Sequence, residues 1–134
     1  MDRDWWTTYG DEVNGTFRGE RYSLNNVPRI YNVTKMPASF KAYGNSGAGA
    51  ISLAMQGDAA KIILLGYDCQ HTGGMKHWHG DHPRHLGNAL SVGRWHENFE
   101  ALSKQSTARI INASRSTALE CFERMSLKDA LNAC

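Results

Sequence analysis

Cysteine is scarce in this sequence. There are three, Cys69, Cys121 and Cys134, with no CxxC pair among them. An odd number at wide spacing excludes a disulfide framework and fits reduced thiols in a cytoplasm. Long apolar runs are missing too. The longest, Ile62–Leu65, falls far below the roughly 20 residues a membrane-spanning helix needs. The opening MDRDWWTTYGDE is charged and aromatic, without the apolar core of a signal peptide. These features predict a soluble protein of the cytoplasm with no membrane partner. No Lys/Arg block interrupts a formal charge of +2, so the charge pattern does not call for nucleic acid. Internal repeats and low-complexity tracts are absent.

What is present suits one compact domain: 134 residues, of which 41% are hydrophobic. Residues 1–26 have little periodicity, and irregular structure is expected there, with a short helix at Asp4–Tyr9. Val27–Val33, with a Pro near its start, reads as a short strand. Asn45 and Ser46 are good N-cap residues for a small-residue helix over Ala48–Gln56, closed by Gly57. Lys61–Tyr67, with IILL at its centre, is expected to be a strand buried on both faces, as in a parallel sheet. Gln70–Leu90 is a long loop holding five of the six histidines. Val92, Trp95, Phe99 and Leu102 recur at helical spacing, predicting a helix over Ser91–Ser106. Arg109–Ala113 is another short buried strand, and Ser126-x-x-Asp129 opens a last helix.

This alternation of strand and helix predicts an α/β layer with parallel strands over residues 27–134. In such sheets ligands bind beyond the carboxyl ends of the strands. Polar residues follow each expected strand: Asn32 and Thr34, later Asn45 and Ser46; then Asp68, Cys69 and Gln70; then Asn112, Ser114, Arg115 and Ser116. Parallel strands would bring the groups to one edge.

Each candidate has a chemical and a plain reading. Asn45-Ser46-Gly47 opens a helix whose free N–H groups and dipole would favour a phosphate; GNSG is short and neither a Walker loop nor a GxGxxG fingerprint, so simple capping is the stronger reading of the residues alone. Asp68, ending Gly66-Tyr67-Asp68, can accept from a ribose hydroxyl or a base, or cap a turn. Arg115 can pair bidentately with phosphate or form a structural salt bridge. Cys69 stands at the strand edge without a recognisable nucleophile context.

The histidine loop is open in several ways. His77-x-His79-x-Asp81-His82 matches the letters of the metallo-β-lactamase pattern, where paired metals activate water. That fold needs a longer chain, a strand running straight into the first His, and more ligands downstream. Here Thr72-Gly73-Gly74 precedes the motif and only His85 and His96 follow. Asp81-His82, Asn88 and His96 faintly echo an HNH nuclease without its paired strands. A third reading makes one histidine a general acid/base over a ligand at the strand edge. The plain reading is a solvated loop pinned by Trp78, able to pick up an adventitious zinc.

The run GNSGAGAISLAMQGDAAKIILLGYDCQHTGGMKHWHGDHP resembles a group of phage and prophage proteins with a Rossmann-like fold. That group is related to the archaeal 6-hydroxymethylpterin diphosphokinase (MptE-like) family and more remotely to bacterial sialyltransferases. DRDWWTTYGDEV, FRGERY and ARIINASRSTALECFERMSLKDAL extend the resemblance over nearly the whole chain. It implies a single Rossmann-like domain, a three-layer partial parallel sheet of about three to four strands flanked by helices. Longer relatives carry an upstream half with a GxGPS-type turn, so the chain resembles their C-terminal part. A partial sheet exposes an edge strand, where a second copy or a phage or host protein would pair. The resemblance implies a nucleotide or nucleotide-sugar ligand and transferase chemistry in an infected bacterial cytoplasm. Asn45, Ser46 and Gly47 would lie near the phosphates, Gly66, Tyr67 and Asp68 at the nucleoside, and His77 or His82 would be the general base. The alternatives are a metal-dependent hydrolase or nuclease, with zinc on His77, His79, Asp81 and His82, and a non-catalytic accessory protein keeping half of an ancestral site.

Overall fold

The computed structural model describes residues 3–74, 82–83, 86 and 92–133. They fall into two compact units, the described residues of Met1–Phe40 with His82–Gly87, and those of Lys41–Asp81 with Asn88–Cys134.

The first unit is built on α1, Arg3–Thr16. Trp6 and Gly10, four residues apart and so on one helix face, are its buried residues. Gly10 is there for closeness: a Cβ would collide with the Tyr31 ring. Tyr31 also stacks on Trp6, with ring centroids 6.1 Å apart. Arg21 closes the helix end. Its guanidinium donates to Asn14 Oδ1 and to the carbonyls of Val13, Phe17 and Tyr31, satisfying acceptors that the helix leaves open. The helix expected at Asp4–Tyr9 runs on to Thr16, because tertiary packing on Tyr31 carries it past weak helix formers, while residues 17–26 are irregular as expected apart from the two residues Tyr22–Ser23.

The strand expected at Val27–Val33 does not form. Pro28, at φ −52, precedes a 3₁₀ turn over Arg29–Tyr31, and Asn32 follows in the left-handed region at φ 47. The turn swings Tyr31 inward, a task an extended ladder would not perform. Instead a two-residue parallel pair forms between β1, Tyr22–Ser23, and β2, Thr34–Lys35.

The second unit holds α2 (Ser46–Gln56), β3 (Lys61–Leu64), α3 (Val92–Ser103), β4 (Arg109–Asn112), β5 (Glu123–Arg124) and α4 (Leu127–Asn132). The three strands form a parallel sheet in the order β3-β4-β5. Register sets Ile62 beside Ile110 and Leu64 beside Asn112, so these side chains share one face. Ala48 and Ile51 of α2, and Phe99 and Leu102 of α3, join Leu64 and Ile110 in one core cluster. Lys61, of opposite parity, donates from Nζ to Ala130 O (3.1 Å) and Ala133 O. A cation thus meets the carboxyl end of α4, where the open carbonyls favour positive charge. The architecture is mixed α/β with small parallel sheets and flanking helices.

Capping works as the sequence indicates. Asn45 Oδ1 accepts from Ala48 N at 2.8 Å, and Gly57 N–H bonds the carbonyls of Leu53 and Ala54. Ser126 Oγ accepts from Asp129 N at 3.1 Å and donates to Asp129 Oδ2 at 2.7 Å. Two details differ. The strand expected over Lys61–Tyr67 stops at Leu64, because Gly66 turns the chain at φ 73. Within β3 only Leu64 is buried, whereas Ile110, Ile111 and Asn112 are all buried in β4. Strand order explains this: β4 is central and β3 lies at an edge. No helix among the described residues is long and apolar enough to cross a membrane.

Candidate functional site

Beyond the carboxyl ends of β3 and β4, two loops are laced together by hydrogen bonds. Tyr67 N donates to Ser114 Oγ at 2.8 Å, and Thr117 Oγ1 donates to Tyr67 O at 2.6 Å. Ala118 N donates to Asp68 O at 2.8 Å. The hub is Asn112, fully buried at the end of β4. Its Oδ1 accepts from Ser114 N (3.0 Å) and its Nδ2 donates to Thr117 Oγ1 (3.2 Å). This network holds a backbone that would not otherwise stay put. Cys69 sits in the left-handed region at φ 52, a conformation that costs a non-glycine residue roughly 1–2 kcal/mol.

Two clefts open along this edge. The first, about 320 Å³, is lined by Asn45, Ser46, Gly47, Tyr67, Trp95 and Phe99 among others. Tyr67 packs edge-on against Phe99, centroids 5.8 Å apart, and its hydroxyl donates to Gly47 O at 3.2 Å. Burial raises the Tyr67 hydroxyl pKa above its ordinary value. Gly47 is needed for proximity, since a Cβ would lie 3.1 Å from the Tyr67 ring and 3.4 Å from Phe99. Asn45 Nδ2 is buried with no acceptor among the described residues.

The second cleft, about 950 Å³, is lined by hydroxyls and guanidinia: Ser114, Ser116 and Ser126, with Arg115 and Arg124, beside Asp68 and apolar Leu65 and Leu127. Arg124 Nη2 donates to Ser114 O at 2.9 Å, and Gln70 Nε2 to Ser116 Oγ at 2.7 Å. Thr72 Oγ1 donates to Asp68 Oδ2 at 2.7 Å. Gly66 and Asp68 line both clefts. A Cβ on Gly66 would meet nothing within 4 Å, so its role is conformational, the positive φ that ends β3.

Asn45, Ser46, Gly47, Gly66, Tyr67 and Asp68 therefore surround one cleft, and Arg115 lines the adjoining one. Asn32 and Thr34, expected at the same edge, belong to the first unit, since no strand forms over Val27–Val33. His77, His79 and Asp81 lie outside the described residues. His82 is half-buried and belongs to the first unit. Among the described residues no three His, Cys, Asp or Glu side chains are grouped as metal ligands. Cys69 is buried, and its thiol is pushed up to about 11 by that burial, with the neighbouring Cys121 thiol adding to it. Such a thiol is a poor nucleophile.

Sequence reasoning missed Arg124 and Ser126 as cleft residues and Asn112 and Thr117 as the hub. The run NASRST after β4 was the available signal for the hub, since Asn, Ser and Thr at a strand end bond local backbone. In comparisons with known proteins, no family model, curated protein or solved structure matches the chain.

Proposed function

We propose that the chain binds a nucleotide or nucleotide-sugar at the edge where β3 and β4 end, as a Rossmann-like domain of transferase type. The observation that carries this reading is the meeting of two unlike clefts at Gly66 and Asp68, beyond the carboxyl ends of adjacent parallel strands. Parallel sheets offer ligands that location because loops diverge there and backbone groups are free. Asp68 Oδ2 already accepts from Thr72, and its second oxygen remains as an acceptor for a ribose hydroxyl. The resemblance to the phage Rossmann-like group supports the same ligand class. Of the two histidines it nominates as general base, His77 lies outside the described residues and His82 belongs to the first unit. Zinc on His77, His79, Asp81 and His82 gains no support from the geometry, since three of those four residues lie outside the described ones.

Thermal-shift titration with CMP-, UDP- and GDP-sugars, GTP and ATP tests the proposal. At a hundredfold excess over Kd, a ligand that binds only the folded chain stabilises it by about 2.7 kcal/mol. At least one of these compounds is expected to raise Tm, and Asp68→Ala to remove the shift. No shift with any of them overturns the reading.

A further inference from the structure

We infer that the phosphates of the ligand lie in the Arg115–Arg124 cleft, and not at the amino end of α2. The ligand is then one whose flat ring and phosphates occupy separate clefts on either side of Asp68: a nucleoside diphosphate or its sugar ester. This inference rests on the nucleotide reading and specifies how the ligand lies.

The amino end of α2 is the position favoured by the motif. Its surroundings disfavour an anion. Asn45 Oδ1 takes up the Ala48 N–H, one of the donors the helix start would otherwise offer, and the donor left buried there, Asn45 Nδ2, is neutral. Tyr67, Trp95 and Phe99 wall the cleft, and among the described residues no Lys or Arg lines it. A phosphate there would lose its water against aromatic rings without a counter-charge, which is costly. A flat aromatic ring suits the same walls through stacking and edge contacts.

The other cleft carries the positive charge that this one lacks, although Leu65, Ala113, Met125 and Leu127 also line it. Arg115 is exposed and makes no hydrogen bond or ion pair with the described residues, whereas Arg109 is paired with Glu123 at 3.0 Å. Arg124 donates one N–H to Ser114 O, and a guanidinium carries five. Among the described residues two guanidinia and a single carboxylate, Asp68, line it. Planar forks of this kind match phosphate oxygens bidentately. At about 950 Å³ the cleft is also three times the size of its neighbour at about 320 Å³, the share expected of a diphosphate with a sugar rather than of a ring. Because Gly66 and Asp68 line both clefts, one ligand can span them.

Calorimetric titration of the full chain with UDP, CDP, ADP and GDP, each beside its nucleoside, tests the assignment. The diphosphate is expected to bind more tightly than its nucleoside. Arg115→Ala should remove roughly ten- to hundredfold of that preference, the scale of a lost charge-assisted contact, while nucleoside affinity holds. Ser46→Ala should keep the preference. Arg115 is exposed, so its replacement leaves a folded protein, and Arg115→Lys should restore part of the loss. A preference lost in Ser46→Ala and kept in Arg115→Ala overturns the assignment and leaves the nucleotide reading standing. Equal binding of diphosphate and nucleoside does the same. No binding of any compound overturns both.

Discussion

The two clefts share Gly66 and Asp68, yet they differ in how they are built. The aromatic cleft borrows its walls from the core: Phe99 is 4% exposed and lies in the same cluster as Leu64, Leu102 and Ile110. The arginine cleft takes its guanidinia and the hydroxyls of Ser116 and Ser126 from exposed side chains, with Ser114 buried beneath them. The rings of one cleft cannot be altered without disturbing the fold, whereas the guanidinia of the other can. Stability and ligand affinity should therefore separate along this edge, and the differences can be ranked.

Phe99→Ala should have the largest effect. It deletes a buried ring that touches both Tyr67 and Phe122 edge-on, and such truncations cost about 3–5 kcal/mol. Denaturant unfolding would show it as a lowered midpoint. An unchanged midpoint would mean that the aromatic wall is not part of the core. Asn112→Ala should come next. It strands Ser114 N and removes one of the bonds to the Thr117 hydroxyl, which keeps Tyr67 O and Leu119 N, at about 1–3 kcal/mol for a buried group left unpaired. Both clefts should loosen together, and hydrogen exchange at Tyr67 and Ala118 should quicken.

The Cys69 thiol gives a smaller, pH-dependent effect. Its value is 9.0 in the open chain and about 11 in the fold. Below pH 9 it is protonated in both states, so its stabilising contribution is complete. Between about 9 and 11 only the unfolded chain ionises, and stability falls as pH rises. Cys69→Ala should flatten that part of the stability–pH curve, and native Cys69 should resist thiol reagents at pH 8. The smallest effect on stability belongs to Arg115→Ala, expected within about 0.5 kcal/mol of wild type, although it should weaken diphosphate binding most. A large stability loss from this variant would erase the contrast between the clefts.

Much of the second unit was legible because its signals are local. Asn45 and Gly57 bracket α2 as caps, Ser126 and Asp129 open α4, and the apolar runs at Ile62 and Ile110 mark the two longer strands. The strand-end rule also put Gly66, Tyr67 and Asp68 at the carboxyl edge of β3, where the clefts open. Other features depend on partners distant in sequence. The first helix continues through Gly10 and Gly15 because Trp6 and Gly10 meet Tyr31, which no window along the helix reveals. Val27–Val33 has the composition of a strand, but Pro28 and the packing of Tyr31 select a 3₁₀ turn. The pair Glu123–Arg124 has no apolar pattern, so β5 was invisible, and Arg124 with it. A helix start rich in Gly and Ser reads as an anion site; the rings of Tyr67 and Phe99 that pack against Gly47 come from distant sequence, and they are the reason for proposing the phosphates elsewhere.

A crystal structure of the chain grown with UDP or ADP tests the central claim most directly. The account predicts the ring beside Tyr67 and Trp95, and the phosphates within hydrogen-bond distance of Arg115. Phosphates on the backbone amides after Asn45, with Arg115 untouched, would contradict it.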